Sequence, residues 1–364
     1  MPKKTKFQLL KLVMVSSPIN SKYGYFINRT APPTKGKGYK AYLHGLKQIS
    51  RGVNIPLVAH ISLTDSCDNS CEICSSNKSS KILSLAEIKI IINKFKKAGT
   101  SLIAFTGGEP ALRDDLEEII SFCSGEDISP FLFTSCSNLS KERIFNLVSV
   151  GLESVYISLD SHIENEHNRI RNNEKSYSDT INALMYFKET GCHTAIHRVT
   201  DNTFFDVDER NEFLKFVDGL EIEELMLLDP VPINSKQGDF ISEDKKKILM
   251  DMHIASTKNK KGTKISSMAL LESAKFMGCR AGHGFVYINT AGDVYPCDFA
   301  PIYFGNLFNE NIEDILKRLN KYLISPSKVC LAKHLIENNL LQGSSKSYEV
   351  LENYTPGKSP DICL

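Results

Sequence analysis

From residue 57 onward the chain alternates between short apolar, β-branched runs and longer stretches whose apolar positions recur every three or four residues. The short runs predict strands at 57–64, 101–106, 130–135, 154–160, 193–199 and 223–229. The longer stretches predict helices at 83–99, 113–123, 140–151, 176–191, 209–219 and 242–257. In the first of these, Ile88, Ile91, Ile92 and Phe95 share one face, Ser84 can cap the start and Gly99 can end it. Six strand–helix units with largely apolar strands call for a parallel sheet covered by helices. Right-handed crossovers then gather the loops after the strands on one face, where a site belongs. The rhythm alone serves a curved, barrel-like sheet and a flat doubly wound one equally.

The flanks read differently. Residues 1–56 are irregular, with a Pro- and Gly-rich loop at 31–39 and a short helix near 42–50, and form an N-terminal extension to the main domain at 57–261. The first residues are basic and then apolar, without the small-residue cleavage site of an export signal. Phe7, Leu9, Leu10 and Leu12 fit a short helix packed on the main domain, with peripheral membrane contact as the alternative. No run reaches the roughly 18 apolar residues of a membrane span. From about 262 the rhythm stops, residues 278–299 pattern as a hairpin around a TAGD turn, and 312–323 as a helix, so 262–364 reads as a second, small domain.

Composition narrows the function classes. Among 364 residues, 44 Lys and Arg nearly cancel 43 Asp and Glu, so no nucleic-acid partner is expected. The ten cysteines include three within eight residues, Cys67, Cys71 and Cys74, directly after the first strand. Such a C-x3-C-x2-C loop suits a metal centre better than a disulfide frame. Three ligands leave one corner of a four-iron cube open to a small molecule, whereas a structural site is normally closed by four. A zinc site with a fourth ligand from elsewhere is the plainer alternative.

This loop, at the mouth of the first strand, resembles that of the radical S-adenosylmethionine (SAM) superfamily. The resemblance implies a partial (β/α)6 TIM-like barrel and a 4Fe-4S cluster held by Cys67, Cys71 and Cys74. SAM completes the cluster, and one electron cleaves its sulfonium to a 5′-deoxyadenosyl radical. Ile73 stands where the family usually has an aromatic residue beside the cluster and adenine. Thr106-Gly107-Gly108-Glu109-Pro110 matches the family's GGEP segment. There Gly107 and Gly108 give room and backbone contacts to the methionine amino group, and Glu109 and Pro110 shape the loop. Ser158 and Asp160 match ribose-contacting positions. Arg171 in HNRIR is expected to bind the SAM carboxylate, although Asn168 and Asn172 depart from the family's pattern. Leu227 is expected to border adenine.

Cys279, twelve residues, Gly292, four residues and Cys297 resemble the opening of the auxiliary-cluster domains called SPASM and twitch. The dense later cysteine set of a full SPASM domain is missing, which implies one auxiliary iron–sulfur cluster held by Cys279, Cys297 and Cys330. Cys363, or else His334, is the fourth ligand. Cys136, His197 and Asp229 are the candidates for hydrogen donation and acid–base work, Cys136 having a small buried thiol as its alternative reading. The expected activity is hydrogen abstraction from a C–H bond in peptide maturation by crosslinking or epimerisation; the alternatives are a radical dehydrogenase or carbon-skeleton enzyme acting on a small metabolite, sugar or lipid head group, and last a non-enzymatic iron–sulfur electron-transfer protein. A flavodoxin or ferredoxin is the implied electron donor, in an oxygen-poor cytoplasm.

Overall fold

A computed structural model describes residues 18–26, 28–71, 74, 82–232, 240–259, 262–274, 276–323, 326–341 and 346–351. An N-terminal hairpin, β1 (Ile19–Ser21) and β2 (Gly24–Phe26), leads into α1 (Tyr39–Ile49). Then come β3 (Val58–Ser62), α2 (Leu85–Ala98), β4 (Leu102–Thr106), α3 (Leu116–Gly125), β5 (Ser129–Thr134), α4 (Lys141–Ser149) and β6 (Ser154–Ser158). The chain continues through α5 (Glu164–Arg171), α6 (Ser176–Thr190), β7 (His193–Val199), α7 (Val207–Leu220), β8 (Glu224–Leu228) and α8 (Glu243–Lys258). All six expected strand–helix units are present. Ser84 and Glu87 form a reciprocal cap on α2, and Gly99 ends it in the left-handed region, so local chemistry sets both boundaries.

The sheet extends further than the rhythm implied. After α8 a short polar strand, β9 (Lys264–Ser267), adds in parallel to β8 and leads directly into α9 (Met268–Leu271). The expected hairpin forms as β10 (Phe285–Ile288) and β11 (Asp293–Tyr295), but β10 also pairs in parallel with β3, on the opposite edge. The sheet therefore runs β13-β11-β10-β3-β4-β5-β6-β7-β8-β9, where β13 is Gly305–Asn306, and it crosses the expected boundary at 261. A separate small pair joins β12 (Ile302–Tyr303) to β14 (Lys346–Ser347), and α10 (Ile312–Tyr322) and α11 (Leu331–Glu337) complete the C-terminal part.

Two apolar cores divide along the period of the strands. Ile61, Ile103, Leu132, Val155, Ile196 and Leu225 face the helix layer, whereas Val58, Leu102, Ala104, Phe131, Tyr156, Ala195 and Met226 fill the barrel interior. The N-terminal extension closes the floor of that interior. Phe26 stacks on His193 with ring centroids 3.7 Å apart, and Tyr42 and Leu46 are buried in the same cluster. Backbone N–H groups of Lys37 and Gly38 donate to Glu153 Oε1 and Ser129 Oγ at the starts of β6 and β5. Phe7, Leu9, Leu10 and Leu12 lie outside the described residues. Among the described residues, no helix is long and apolar enough to cross a membrane.

Candidate active site

At the mouth of β3 the chain turns through Thr64–Ser66 into the cysteine loop. The segment after β4 is pressed against that turn: the N–H of Gly108 donates to Thr64 O at 2.6 Å and that of Glu109 to Ser66 O at 2.8 Å. A Cβ at Gly107 would lie 2.3 Å from Thr64 O, at a backbone φ of +136°, and one at Gly108 would lie 2.2 Å from Ser66 O. The two glycines are thus required first by the approach of two loops of this chain. Glu109, fully buried, accepts from Thr134 Oγ1, Ser135 N, Ser135 Oγ and Ala111 N. Burial raises its pKa and these hydrogen bonds oppose the rise, and its carboxyl group ties its own loop to the one after β5. Pro110 opens the short 3-10 turn that follows.

A second brace comes from α5, a helix whose polar residues carry no apolar stripe that sequence reading could detect. Arg171 at its end donates through Nε to Asp160 Oδ2 at 2.6 Å and through Nη1 to Cys71 Sγ at 3.7 Å. Its carbonyl accepts from Ser70 N. Burial lifts the Cys71 thiol above its ordinary pKa and the Arg171 charge opposes that lift, so Arg171 favours the thiolate a metal requires. Asp160 lies just beyond β6, and its Oδ1 is buried without a hydrogen-bond partner. It grips Arg171 through its other oxygen. His167 accepts from the Asp160 N–H through Nδ1 and faces Ser176 Oγ through Nε2, and burial pushes its pKa down to about 4. Neutral His167 therefore orients Asp160, a contact with no sequence signal beyond the seven-residue spacing. Ser158 ends β6, half-exposed on the interior side with Tyr156. Ile73 lies outside the described residues.

Three of the expected residues have surroundings that change their reading. Leu227 is fully buried in the helix-facing core, because strand alternation turns it away from the interior; Leu228, not Leu227, lines the chamber described below. Cys136 is 1% exposed, packs in that same helix-facing core, and has φ +70°, a conformation that favours glycine or asparagine. Its surroundings are those of a small apolar residue. His197 projects among Phe133 and Tyr156, its Nε2 unpartnered, and burial pushes its pKa down to about 3, leaving it neutral and weakly basic.

Among the described residues, β9 pairs only with β8 and the sheet does not close from β9 onto β10. In that opening lies a chamber of about 1080 Å³, bounded by the end of β8, by α8 and α9, and by Phe285 of β10. Cys279, Cys297 and Cys330 all line it. Reciprocal backbone hydrogen bonds between Cys279 and Ser327, at 2.8 and 2.9 Å, bring the Cys330 segment beside Cys279, and the two thiols share a hydrogen bond. Cys363 lies outside the described residues. His334 stands in α11, where its ring faces the side-chain amide of Asn338. Asp229 lines the chamber at the end of β8 with Oδ1 buried and unpartnered, and burial, only partly opposed by Lys246, pushes its pKa up to about 7. His60 and Asp298, paired at 3.0 Å, also line the chamber. Sequence reading missed this pair; the one signal was a lone histidine at an inward position of an apolar strand.

The donor sets can be tested against the groups they would hold. Around one zinc ion, sulfurs at ~2.3 Å would sit roughly 4 Å from one another. Among the described residues, three ligand atoms all within 4.8 Å of one another occur at His162, Glu209 and Glu212 and at neither cysteine set. Each set offers three thiols, the donor chemistry an iron–sulfur cluster takes. A radical SAM superfamily profile matches residues 61–217, and a SPASM iron–sulfur cluster-binding domain profile matches residues 279–330. This chain belongs to the radical SAM superfamily.

As a radical SAM enzyme it has a 4Fe-4S cluster that works with SAM, and a SPASM auxiliary iron–sulfur cluster. It is similar to the AdoMet-dependent heme synthase of Oleidesulfovibrio alaskensis, with 23% identity over 78% of this chain and 82% of that protein. It is also similar to the GTP 3′,8-cyclase of Aquifex aeolicus, with 30% identity over 45% of this chain and 54% of that protein. Among solved structures, Streptococcus suis SuiB bound to S-adenosylmethionine superposes with a TM-score of 0.65 at 15% identity, covering 86% of this chain and 82% of that one. These likenesses agree with the barrel seen here and show the fold.

Proposed function

We propose that this radical SAM enzyme takes hydrogen from a carbon of a peptide segment held in the chamber, in a crosslinking or epimerising maturation. The chamber carries this reading. Its walls mix apolar groups such as Met250, Met268 and Phe285 with charged ones of both signs, a lining that can take a peptide's backbone and side chains together. The fold neighbours include SuiB bound to its precursor peptide SuiA and anSMEcpe bound to the peptide Cp18Cys. When bound to Cys67, Cys71 and Cys74 and charged by a flavodoxin- or ferredoxin-type donor, the 4Fe-4S cluster supplies the electron that cleaves SAM and starts the radical chemistry. Arg171 offers a guanidinium for the SAM carboxylate, held in place by Asp160, and Gly107 and Gly108 fix the loop beside it. Cys279, Cys297 and Cys330 hold the auxiliary cluster at the chamber wall. In a crosslinking, Asp229 would accept the proton the substrate loses, because burial lifts its pKa to about 7, leaving it partly ionised at neutral pH with more basicity than an exposed carboxylate.

The test is anaerobic turnover of reconstituted, reduced protein with a peptide encoded beside its gene, carrying deuterium at Cα or Cβ. Deuterium should appear in 5′-deoxyadenosine. The heme synthases, which match most of the chain, favour a second reading, oxidation of a small metabolite. Transfer from a metabolite and from no peptide would replace the first reading with the second.

A further inference from the structure

Arg29 enters the chamber from the N-terminal extension, far in sequence from every motif of the family. Its loop is tightly set. Asn28 Oδ1 accepts from Thr30 N at 2.9 Å and from Thr30 Oγ1 at 2.6 Å, and Ala31 N donates to Asn28 O. Asn28, Thr30 and Ala31 are all buried, and Phe26 is anchored on His193. The guanidinium at the end of this support lies 5.9 Å over the ring of Phe133, within the barrel, and lines the chamber. Among the described residues it has no hydrogen bond and no ion pair.

A half-buried arginine without an anionic partner is costly unless a ligand provides one. Asp298 and Glu272 are near enough to feel its charge, but neither forms an ion pair with it; Asp298 is paired with His60, and Glu272 also feels Arg280. At the mouth, Lys328 is exposed and unpaired among the described residues, so the approach is not hostile to negative charge.

We infer that Arg29 is the anchor of an anion subsite: the substrate bears a carboxylate, which the guanidinium receives at the chamber floor. This rests on the proposed chamber chemistry and adds a substrate class to it. The planar fork of arginine binds a carboxylate through two parallel hydrogen bonds, fixing orientation as well as position. The carbon presented for reaction is then set by its distance along the substrate from that carboxylate. Arg29 is a specificity-determining residue.

The test uses binding to the reconstituted holoenzyme in the presence of SAM, read by calorimetry. The probes are two matched pairs: acetyl-Phe-Glu-Phe-amide against its Gln counterpart, and 3-phenylpropionate against 3-phenylpropanamide. The wild type should bind the acidic member of a pair about 10-fold or more tightly. Arg29→Gln should erase that preference, and Arg29→Lys should restore part of it. Iron content and thermal midpoint would show that the variants remain folded and loaded. Acid preference with phenylpropionate while neither peptide binds keeps the subsite and removes the peptide reading. Peptides that bind with Glu and Gln equal keep the peptide reading and overturn the subsite. A preference that survives in Arg29→Gln, or no acid preference with any probe, also overturns it.

Discussion

Cys67, Cys71 and Cys74 lie on one loop at the barrel mouth, the first and last exposed and Cys71 half-buried. Cys279, Cys297 and Cys330 come from three segments and line an internal wall, Cys279 buried and the other two half-buried. The first set is assembled by spacing: any chain with that loop keeps its thiols within reach, and the tertiary structure has only to brace it, through Gly107, Gly108 and Arg171. The second is assembled by backbone pairing, Cys279 with the Ser327 segment and β10 with β3, so its ligands meet only after the sheet is built. An open loop suits a centre that must admit a diffusing cofactor. A wall held by strands suits one that keeps its ligands fixed.

The comparison breaks most directly at the mouth. Replacing Cys67, Cys71 and Cys74 together by alanine should remove about four irons and abolish 5′-deoxyadenosine formation, while the irons of the wall remain. Iron and sulfide analysis beside the wild type checks this, and retention of all iron would undo the division between the sites. The converse change, Cys297→Ala, should remove the remaining irons and product formation, leaving the mouth cluster visible by electron paramagnetic resonance. Loss of both signals would mean that the two sites are not independent.

Asp229→Asn sharpens the role of the chamber between them. Product formation should fall by roughly 10²–10⁴-fold, the range for loss of a general base. In the wild type the rate should rise with pH through about 7, as Asp229 ionises, and that limb should vanish in the variant. Gly108→Ala tests the bracing of the mouth. Its Cβ would meet the Ser66 carbonyl, so chemical denaturation should show a loss of about 1–3 kcal/mol with reduced iron loading. The smallest effect concerns His167. Its folded pKa, about 4, lies below the ordinary value of about 6.5, so the folded state binds fewer protons than the unfolded chain. Stability should be complete above pH ~6.5 and decline as pH falls toward ~4. His167→Gln, titrated by thermal denaturation, should flatten that decline.

Much of the fold was legible because apolar periodicity is strong in the six units, yet the exceptions have clear causes. The helix expected from 113 begins at Leu116, because Arg113 reaches to Leu63 O and Leu83 O and pairs with Asp115. Helix α5 and strand β9 are short and polar and display no period. At the site, the cysteine loop, the glycine pair, Glu109, Arg171 and Asp229 could be named from residue order. Asp160 emerged as the partner of Arg171. His60, Asp298 and Arg29 could not be named, since nothing near them in sequence says that they share a chamber.

The amino-acid order alone determined the alternation of strands and helices and the three-thiol loop, because both are set within a window of a few residues by backbone geometry. Only the tertiary structure decided that β10 would add beside β3, that distant cysteines would share one wall, and that the N-terminal extension would close the barrel floor and carry Arg29 inside. Those outcomes depend on which edges and apolar surfaces are left to cover once the barrel has formed, and that is a property of the whole chain.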